Sequence, residues 1–321
     1  MNYAIEHVTR FRYSVPVRES VMELRMRPHH TTQQRRHTFE LSTTPQAQIL
    51  NYYDHLGNQV DHFNIPGEHS RLTIRAYSRV EVRPLLNLPP ALPPTAWQGL
   101  DQLTREGEHW EMLVPSSFAK PTELLDGLAH ELKVQRRDDP LTLLQELTTQ
   151  LHETLAYAQE ETKVDSPIDV ALEKRRGVCQ DFAHIMIALV RPLGIPCRYV
   201  SGYLYHPREQ DRSAADATHA WVEAYLPEVG WVGFDPTNNS LAGERHIRVA
   251  IGRDYADVPP TRGVYKGEAE SELAVAVRVR PADSPETRDK AVEQFAGVES
   301  EDFTAIGSDP ADITQQQQQQ Q

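Results

Sequence analysis

The segment RRGVCQDFAH, residues 175–184, decides how the rest of the chain can be interpreted. Gly177, which is expected to end the preceding helix, stands two residues before Cys179. After Cys179, apolar residues recur at three- and four-residue steps. These apolar residues are Phe182, Ile185, Met186, Leu189 and Leu193. The spacing predicts a helix that lies against a core and ends near Pro192. Cys179 is therefore expected in the first turn of that helix.

The predicted position of Cys179 favours a thiolate. Unpaired backbone N–H groups and the positive end of the helix dipole stabilise an anion in a first turn. A neighbouring imidazolium adds to this effect and makes a cysteine nucleophilic. The same N–H groups could hold the oxyanion of a tetrahedral intermediate. A lone cysteine is equally a small packing residue, so partner residues must decide between the two interpretations.

Two partner residues follow on a predicted β-hairpin. The segment THAWVEAYL, residues 218–226, alternates strictly and places His219 and Trp221 on the same face. After a turn, the segment WVGFDPT, residues 231–237, predicts a second short strand in which Asp235 is followed by proline. The two strands are expected to pair in an antiparallel manner.

The register of this hairpin decides whether the two side chains can meet. A pairing of Tyr225 with Trp231 fixes the remainder of the register. In that register Asp235 lies diagonal to His219, within reach of the imidazole. A slip of one residue would move Asp235 to the opposite face, so the hypothesis depends on this register or on a bulge.

A cysteine nucleophile, a histidine base and an aspartate that orients the ring form a catalytic triad by role. The motifs GVCQDFAH, GIPCRYVSGY, HAWVE and WVGFDPT begin at residues 177, 194, 219 and 231. Their kind and order resemble the bacterial transglutaminase-like family. The resemblance implies a papain-like α+β core with a triad of Cys179, His219 and Asp235. The first 80 or so residues are similar to the β-rich N-terminal region that accompanies this core in bacterial members.

Three further residues are candidates for contact with substrate. Gln180 follows the nucleophile, Trp221 follows the histidine on its strand, and Tyr157 lies at the end of a predicted helix. By the resemblance, Tyr157 lies near the start of the core, where it lines the cleft, helps to hold an oxyanion or packs in the interior. The second cysteine, Cys197, begins an apolar strand and is interpreted as a packing residue.

The chain divides into four predicted regions. Alternating β-forming segments over residues 1–83 predict an antiparallel β-sandwich domain. Residues 84–96 are rich in proline and predict an extended connector. Residues 97–280 form the predicted transglutaminase-like core, in which helices pack on an antiparallel sheet. Residues 281–321 are acidic, poor in aliphatic residues and end in glutamines, and they are predicted to be disordered.

Composition restricts the partners. The net charge of −13, from 33 basic and 46 acidic residues, argues against a nucleic-acid partner held by phosphate contacts. No basic and apolar leader and no apolar stretch of membrane-spanning length is present in this sequence, so a cytoplasmic location without a membrane partner is expected. Neither a calcium loop nor a histidine pair spaced i, i+4 around an acid occurs, so no metal or other cofactor is expected.

Three functions are open at this stage. A thiol enzyme would cleave an amide of a peptide or protein through a thioester, which water resolves in a peptidase or amidase. An amine would resolve the same thioester in a transglutaminase. Hydrolysis is favoured because a transferase needs a cleft that excludes water, and no sequence feature indicates one. A non-catalytic peptide-binding module is the third possibility, although it would not need all three residues of the triad.

Overall fold

The computed structural model describes residues 1–84, 88–159, 161–207, 211–212 and 217–282, so most of the predicted disordered tail lies outside the described residues. The strands are β1 (Asn2–Leu24), β2 (Gln34–Thr44), β3 (Leu50–Tyr53), β4 (Gln59–Ile65), β5 (His69–Val82), β6 (Ala156–Tyr157), β7 (Arg176–Gly177), β8 (Cys197–Leu204), β9 (His219–Leu226), β10 (Gly230–Asp235), β11 (Ser240–Leu241), β12 (His246–Gly252), β13 (Thr261–Lys266) and β14 (Ser271–Pro281). The α-helices are α1 (Ala96–Glu106), α2 (Glu123–Glu131), α3 (Pro140–Thr154), α4 (Ile168–Lys174) and α5 (Cys179–Val190).

The N-terminal region is a curled antiparallel sheet built around the long strand β1. The first part of β1 pairs with β5 and β14, and its last part pairs with β4 and β13. The pairing with β5 is interrupted between Arg12 and Val17, where the strand bends. Apolar residues from both parts, such as Leu24, Phe63 and Ile74, then pack into one core. The predicted α+β class, with a β-rich N-terminal domain before a mixed core, is confirmed.

The last two strands differ from the predicted division. The predicted core extends to residue 280, but β13 and β14 both pair with β1 and complete the N-terminal sheet. The alternation of Leu273, Val275 and Val277 is typical of a strand, and these residues lie in β14. It does not identify the partner, because any open sheet edge can accept a strand of this pattern. The chain therefore returns to its first domain after the core is complete.

The core places one buried helix against a five-stranded antiparallel sheet of order β11-β10-β9-β8-β12. All residues of α5 are buried, and they pack against the small apolar face of β9. That face consists of Ala220, Val222, Ala224 and Leu226. Among the described residues, no helix combines the length and the apolar character needed to cross a membrane.

Two side-chain amides of the N-terminal domain form hydrogen bonds with the backbone of the edge strand of the core sheet. The amide of Gln34 donates to the Arg248 carbonyl at 2.8 Å and accepts from the Arg248 N–H at 2.8 Å. The amide of Asn58 makes the same two-way contact with the backbone of Ile251, at 2.8 and 2.7 Å. Since β12 is an edge strand, these contacts satisfy backbone groups that would otherwise be open for pairing. The two regions therefore share a fixed interface.

Candidate active site

Helix α5 begins at Cys179, as the sequence predicts. The turn before it is held by Asp181, whose Oδ2 accepts from the Val178 N–H at 2.8 Å and from the Thr162 hydroxyl at 2.6 Å. Burial raises the pKa of Asp181 to about 6, and these two hydrogen bonds oppose the shift. A side chain at Gly177 would meet this carboxylate, because a Cβ there would lie 2.5 Å from Oδ2. Glycine is therefore required beside the nucleophile.

The first turn of α5 leaves backbone donors beside the thiol. The N–H groups of Asp181 and Phe182 both donate to the Val178 carbonyl. Within the described part of the chain, no acceptor is bonded to the N–H of Cys179 or Gln180. Unpaired N–H groups in the first turn of a helix can stabilise an anion that forms beside them.

His219 and Asp235 meet as the predicted hairpin requires. Tyr225 pairs with Trp231, so the predicted register is confirmed. The Nε2 atom of His219 lies 2.7 Å from Oδ2 of Asp235, and both residues are buried. The imidazole therefore donates this proton to the carboxylate, which fixes the orientation of the ring.

The other side of the His219 ring faces Cys179. Burial lowers the pKa of His219, but the charge and hydrogen bond of Asp235, followed by the interaction with the Cys179 side chain, raise it to about 10. The Nδ1 atom has no partner at hydrogen-bond geometry within the described residues. Since Nε2 is used by Asp235, Nδ1 is the nitrogen left for the thiol. A nucleophile and base that are slightly apart commonly tighten only when substrate is bound.

Asp235 is ionised although its side chain is wholly buried. Burial alone raises the pKa of this carboxyl, and the charge and hydrogen bond of His219, together with the hydrogen bond of a second imidazole, bring it well below its usual value. Oδ1 accepts from the N–H groups of Thr237 and Asn238 at 3.0 and 3.2 Å. Oδ2 accepts from the Asn238 side-chain amide at 2.9 Å in addition to His219. This set of donors replaces the water that a carboxylate would otherwise need.

The second imidazole at Asp235 belongs to His246, which the sequence analysis did not identify. Its Nε2 lies 3.1 Å from Oδ2 of Asp235. Its Nδ1 accepts a hydrogen bond from the Gly243 N–H at 3.2 Å, so the ring proton must be on Nε2. Burial lowers the pKa of His246, which makes the neutral ring the stable form. No sequence spacing could have indicated it, because the chain crosses from one sheet edge to the other before reaching β12.

In the described residues, His219, Asp235 and His246 are the one group of at least three ligand-type side chains close enough for a metal ion. Their contacts do not fit a metal site. Each Nε2 atom carries a proton that it donates to the same carboxylate oxygen, whereas a metal ligand must present a free lone pair. The group is therefore a hydrogen-bond network.

The three predicted substrate-binding residues have different surroundings. The side chain of Gln180 is buried and donates to the Val164 carbonyl at 2.9 Å. Trp221 is 1% exposed and packs beneath the triad. Neither side chain has a free surface for substrate, because both are used in packing. Tyr157 is partly exposed and pairs with Gly177 in the short sheet beside the nucleophile, so its contact with substrate stays a prediction.

Cys197 is the packing cysteine that the sequence predicts. It is fully buried, and its thiol donates to the Ile195 carbonyl at 3.3 Å. Burial raises the pKa of this thiol to about 12, which the charge of Arg191 only partly offsets. His184, on the same helix as Cys179, is also buried and accepts from the Tyr255 N–H at 3.2 Å.

A cysteine at the start of a buried helix, with an imidazole and a carboxylate on the adjoining antiparallel sheet, defines a papain-like α+β protein. The transglutaminase-like superfamily matches residues 127–236, and the bacterial transglutaminase-like N-terminal region matches residues 3–81. The chain belongs to the transglutaminase-like superfamily, in the form that carries this bacterial N-terminal region.

Relatives extend over almost the whole chain. The uncharacterized protein ML0607 of Mycobacterium leprae is 31% identical over 277 residues, which are 86% of this chain and 97% of that protein. The uncharacterized protein Rv2569c of Mycobacterium tuberculosis is 34% identical over 299 residues, 87% of this chain and 92% of that protein. A protein-glutamine gamma-glutamyltransferase of Pseudomonas aeruginosa is 34% identical over 162 residues, 44% of this chain but 23% of that protein.

A solved structure shares the fold across both regions. It is a candidate cysteine protease from Cytophaga hutchinsonii, with a TM-score of 0.67 and 21% sequence identity. The similarity covers 90% of this chain and 94% of that chain. The combination of N-terminal sheet and core is therefore an arrangement that another protein shares.

Proposed function

We propose that this protein is a thiol enzyme that acts on amide bonds of peptides or proteins, with Cys179 as nucleophile, His219 as base and Asp235 as the residue that orients the base. The observation that carries the proposal is the position of one imidazole between a buried carboxylate and a helix-start cysteine. A packing cysteine has no need of such a partner, and Cys197 in the same core has none.

The proposed reaction begins with attack of the Cys179 sulfur on the amide carbonyl carbon. The oxyanion is held by the N–H groups of Cys179 and Gln180. The carbon–nitrogen bond then breaks, and His219 transfers the proton it took from the thiol to the leaving amine. An acyl thioester on Cys179 is left. Water or an amine attacks this thioester, and the sulfur leaves as His219 takes a proton from the attacking group.

The second step separates two activities. Hydrolysis is the simpler outcome, since water needs no binding site of its own, and the structural relative from Cytophaga hutchinsonii is described as a candidate cysteine protease. Acyl transfer is the second candidate, because the Pseudomonas relative is a protein-glutamine gamma-glutamyltransferase with 34% identity over the matched residues. We favour hydrolysis. A purely peptide-binding role is the weaker third proposal, because it gives no reason for the ionised pair at His219.

We further propose a peptide or protein as the substrate in the cytoplasm, with neither nucleic acid nor membrane as a partner. The acidic net charge of −13 supports the exclusion of nucleic acid. The location and the absence of a membrane partner are proposals from the sequence.

The decisive experiment uses a glutamine-containing peptide together with a fluorescent primary amine. We expect ammonia or a cleaved peptide in the presence of wild type, without incorporation of the amine, and we expect neither product from the Cys179→Ala variant. Incorporation of the amine would instead assign the transferase activity. If wild type and Cys179→Ala gave the same products across a library of peptides, the proposed chemistry would be wrong. Circular dichroism of the variant confirms that it is folded.

A further inference from the structure

Asp235 receives a second imidazole from the far side of the core sheet. His246 is the first residue of β12, two strands beyond the hairpin that carries His219 and Asp235. Its side chain is 3% exposed, and both ring nitrogens are used, one by Gly243 and one by Asp235. A buried imidazole with two defined partners has one orientation and one tautomer. It therefore offers Asp235 a donor in a fixed position.

The His246 imidazole is a neutral hydrogen-bond donor, and a neutral donor is favourable at this position. A cation at this point would compete with His219 for the charge of the carboxylate. Burial lowers the pKa of His246, and the charges of His219 and Arg245 lower it further, against the opposing effect of Asp235. The neutral Nε2–H of His246 can donate a hydrogen bond to Oδ2, while the negative charge of Asp235 still stabilises the imidazolium of His219. His206 also faces this cluster, and the charge of Asp211 acts on it.

His246 also supports the base through Trp221. The His246 ring meets the indole edge-on at 5.2 Å between centroids, and the indole stacks against the His219 ring at 6.1 Å and 25°. The indole fits because Gly202 lacks a side chain, since a Cβ at this position would lie 2.6 Å from the ring. The orientation of the base therefore depends on His246 by a hydrogen bond and by packing.

From this geometry we propose that His246 is a positioning residue for the reaction, which fixes the Asp235 carboxylate so that Oδ2 stays aligned with Nε2 of His219. This inference rests on the proposed function of the triad. It extends the catalytic apparatus from three residues to four, in the order Cys179, His219, Asp235 and His246. The fourth residue touches neither substrate nor the reacting atoms.

The test compares two substitutions at one position with a control elsewhere. His246→Phe keeps a ring but removes the donor to Asp235, whereas His246→Gln keeps an N–H at nearly the same reach. His69→Phe is the matched control, because His69 is also buried with a hydrogen bond to Ser20 at 2.9 Å and another to the Gly67 carbonyl. It lies in the N-terminal sheet, outside the proposed site. Thermal unfolding shows how much stability each variant loses.

The first readout is the rate at which iodoacetamide alkylates Cys179, with Cys197 as the internal unreactive thiol. We expect His246→Phe to lower this rate and kcat about 10- to 100-fold, with KM nearly unchanged. Loss of a residue that orients a metal-binding side chain through a hydrogen bond has an effect of this size. His246→Gln should restore most of the loss, and His69→Phe should lose stability but not rate. A wild-type rate for His246→Phe would overturn the inference.

The second readout is the titration of His219, followed by NMR of protein labelled with ¹⁵N-histidine. Since Asp235 raises the pKa of His219, a misaligned carboxylate should let it fall, so the His219 midpoint should move to lower pH in His246→Phe and not in His69→Phe. An unchanged midpoint would contradict the inference. Slow alkylation of Cys179 in wild type would instead refute the proposed function, while this titration would still report on the contact between His246 and Asp235.

Discussion

Two buried carboxylates on the same core sheet have opposite kinds of partner. Asp235 is paired with imidazoles, whereas Glu223, on the neighbouring strand β9, is paired with guanidinium groups. Both acids are 2% exposed or less, and in both cases the charges and hydrogen bonds of the partners bring the pKa below its usual value against the effect of burial. Arg198 and Arg248 form the second cluster, and the guanidinium of Arg198 also lies 4.0 Å from the centre of the Trp231 ring.

The comparison shows that a buried carboxylate can serve catalysis or stability, depending on the side chains that pair with it. A guanidinium keeps its charge at every pH that a protein tolerates, so the Glu223 cluster serves to hold strands β8, β9 and β12 together. An imidazole can gain or lose a proton near neutral pH, so the Asp235 cluster can take part in chemistry. Two consequences follow: loss of Asp235 should affect rate, and loss of Glu223 should affect stability.

The largest effect is expected from Asp235→Asn. The amide cannot hold the imidazolium or fix the correct tautomer of His219, so kcat should fall by about 10⁴-fold. The measurement is the hydrolysis rate of a peptide that wild type cleaves, with circular dichroism to verify the fold. If the variant kept more than a tenth of wild-type kcat, Asp235 would be a structural acid like Glu223 and the comparison would fail.

A smaller effect, on stability, is expected from Glu223→Gln. The substitution leaves two buried or partly buried arginines without a counter-charge, and it should reduce the free energy of unfolding by about 3 kcal/mol. Urea unfolding measures this loss. The value of kcat, measured well below the unfolding transition, should stay within about threefold of wild type. A fall in kcat as large as that of Asp235→Asn would mean that the two clusters are not separate.

The smallest effect is a difference in pH dependence between the two clusters. Because the pKa of folded His219 is raised above its ordinary 6.5, to about 10, its contribution to stability is complete below pH 6.5 and is lost as pH rises toward 10. In a Cys179→Ala background, which removes the thiol beside the ring, stability should fall over this range by about 1 kcal/mol or more relative to the same protein with His219→Gln.

The matched control for this measurement is Glu223→Gln in the same background. The charges of Glu223, Arg198 and Arg248 do not change between pH 6.5 and 10, so the effect of Glu223→Gln on stability should be constant over the range. Parallel curves for the proteins with and without His219 would contradict the assigned charge of the imidazole.

Much of the fold could be predicted because its signals are local. Asp139 caps α3 by accepting from the N–H groups of Leu141 and Thr142, and an aspartate followed by a proline is a helix-start signal that involves only neighbouring residues. Contacts between distant segments could not be predicted in this way. The pairing of β14 with β1 joins residues more than 250 positions apart, and the burial of Gln180 and Trp221 depends on what packs against them. No local spacing contains this information.

By itself, the sequence determined that Cys179 begins a buried helix and that His219 and Trp221 share one face of a strand, because helix periodicity and strand alternation are properties of neighbouring residues. Only the tertiary structure decided that these two parts meet. The alternation places His219 on the face of β9 opposite to the one that packs on α5, and its ring reaches Cys179 because it is the first residue of the strand, at the end of the sheet. The support from His246 likewise exists only once the sheet has assembled.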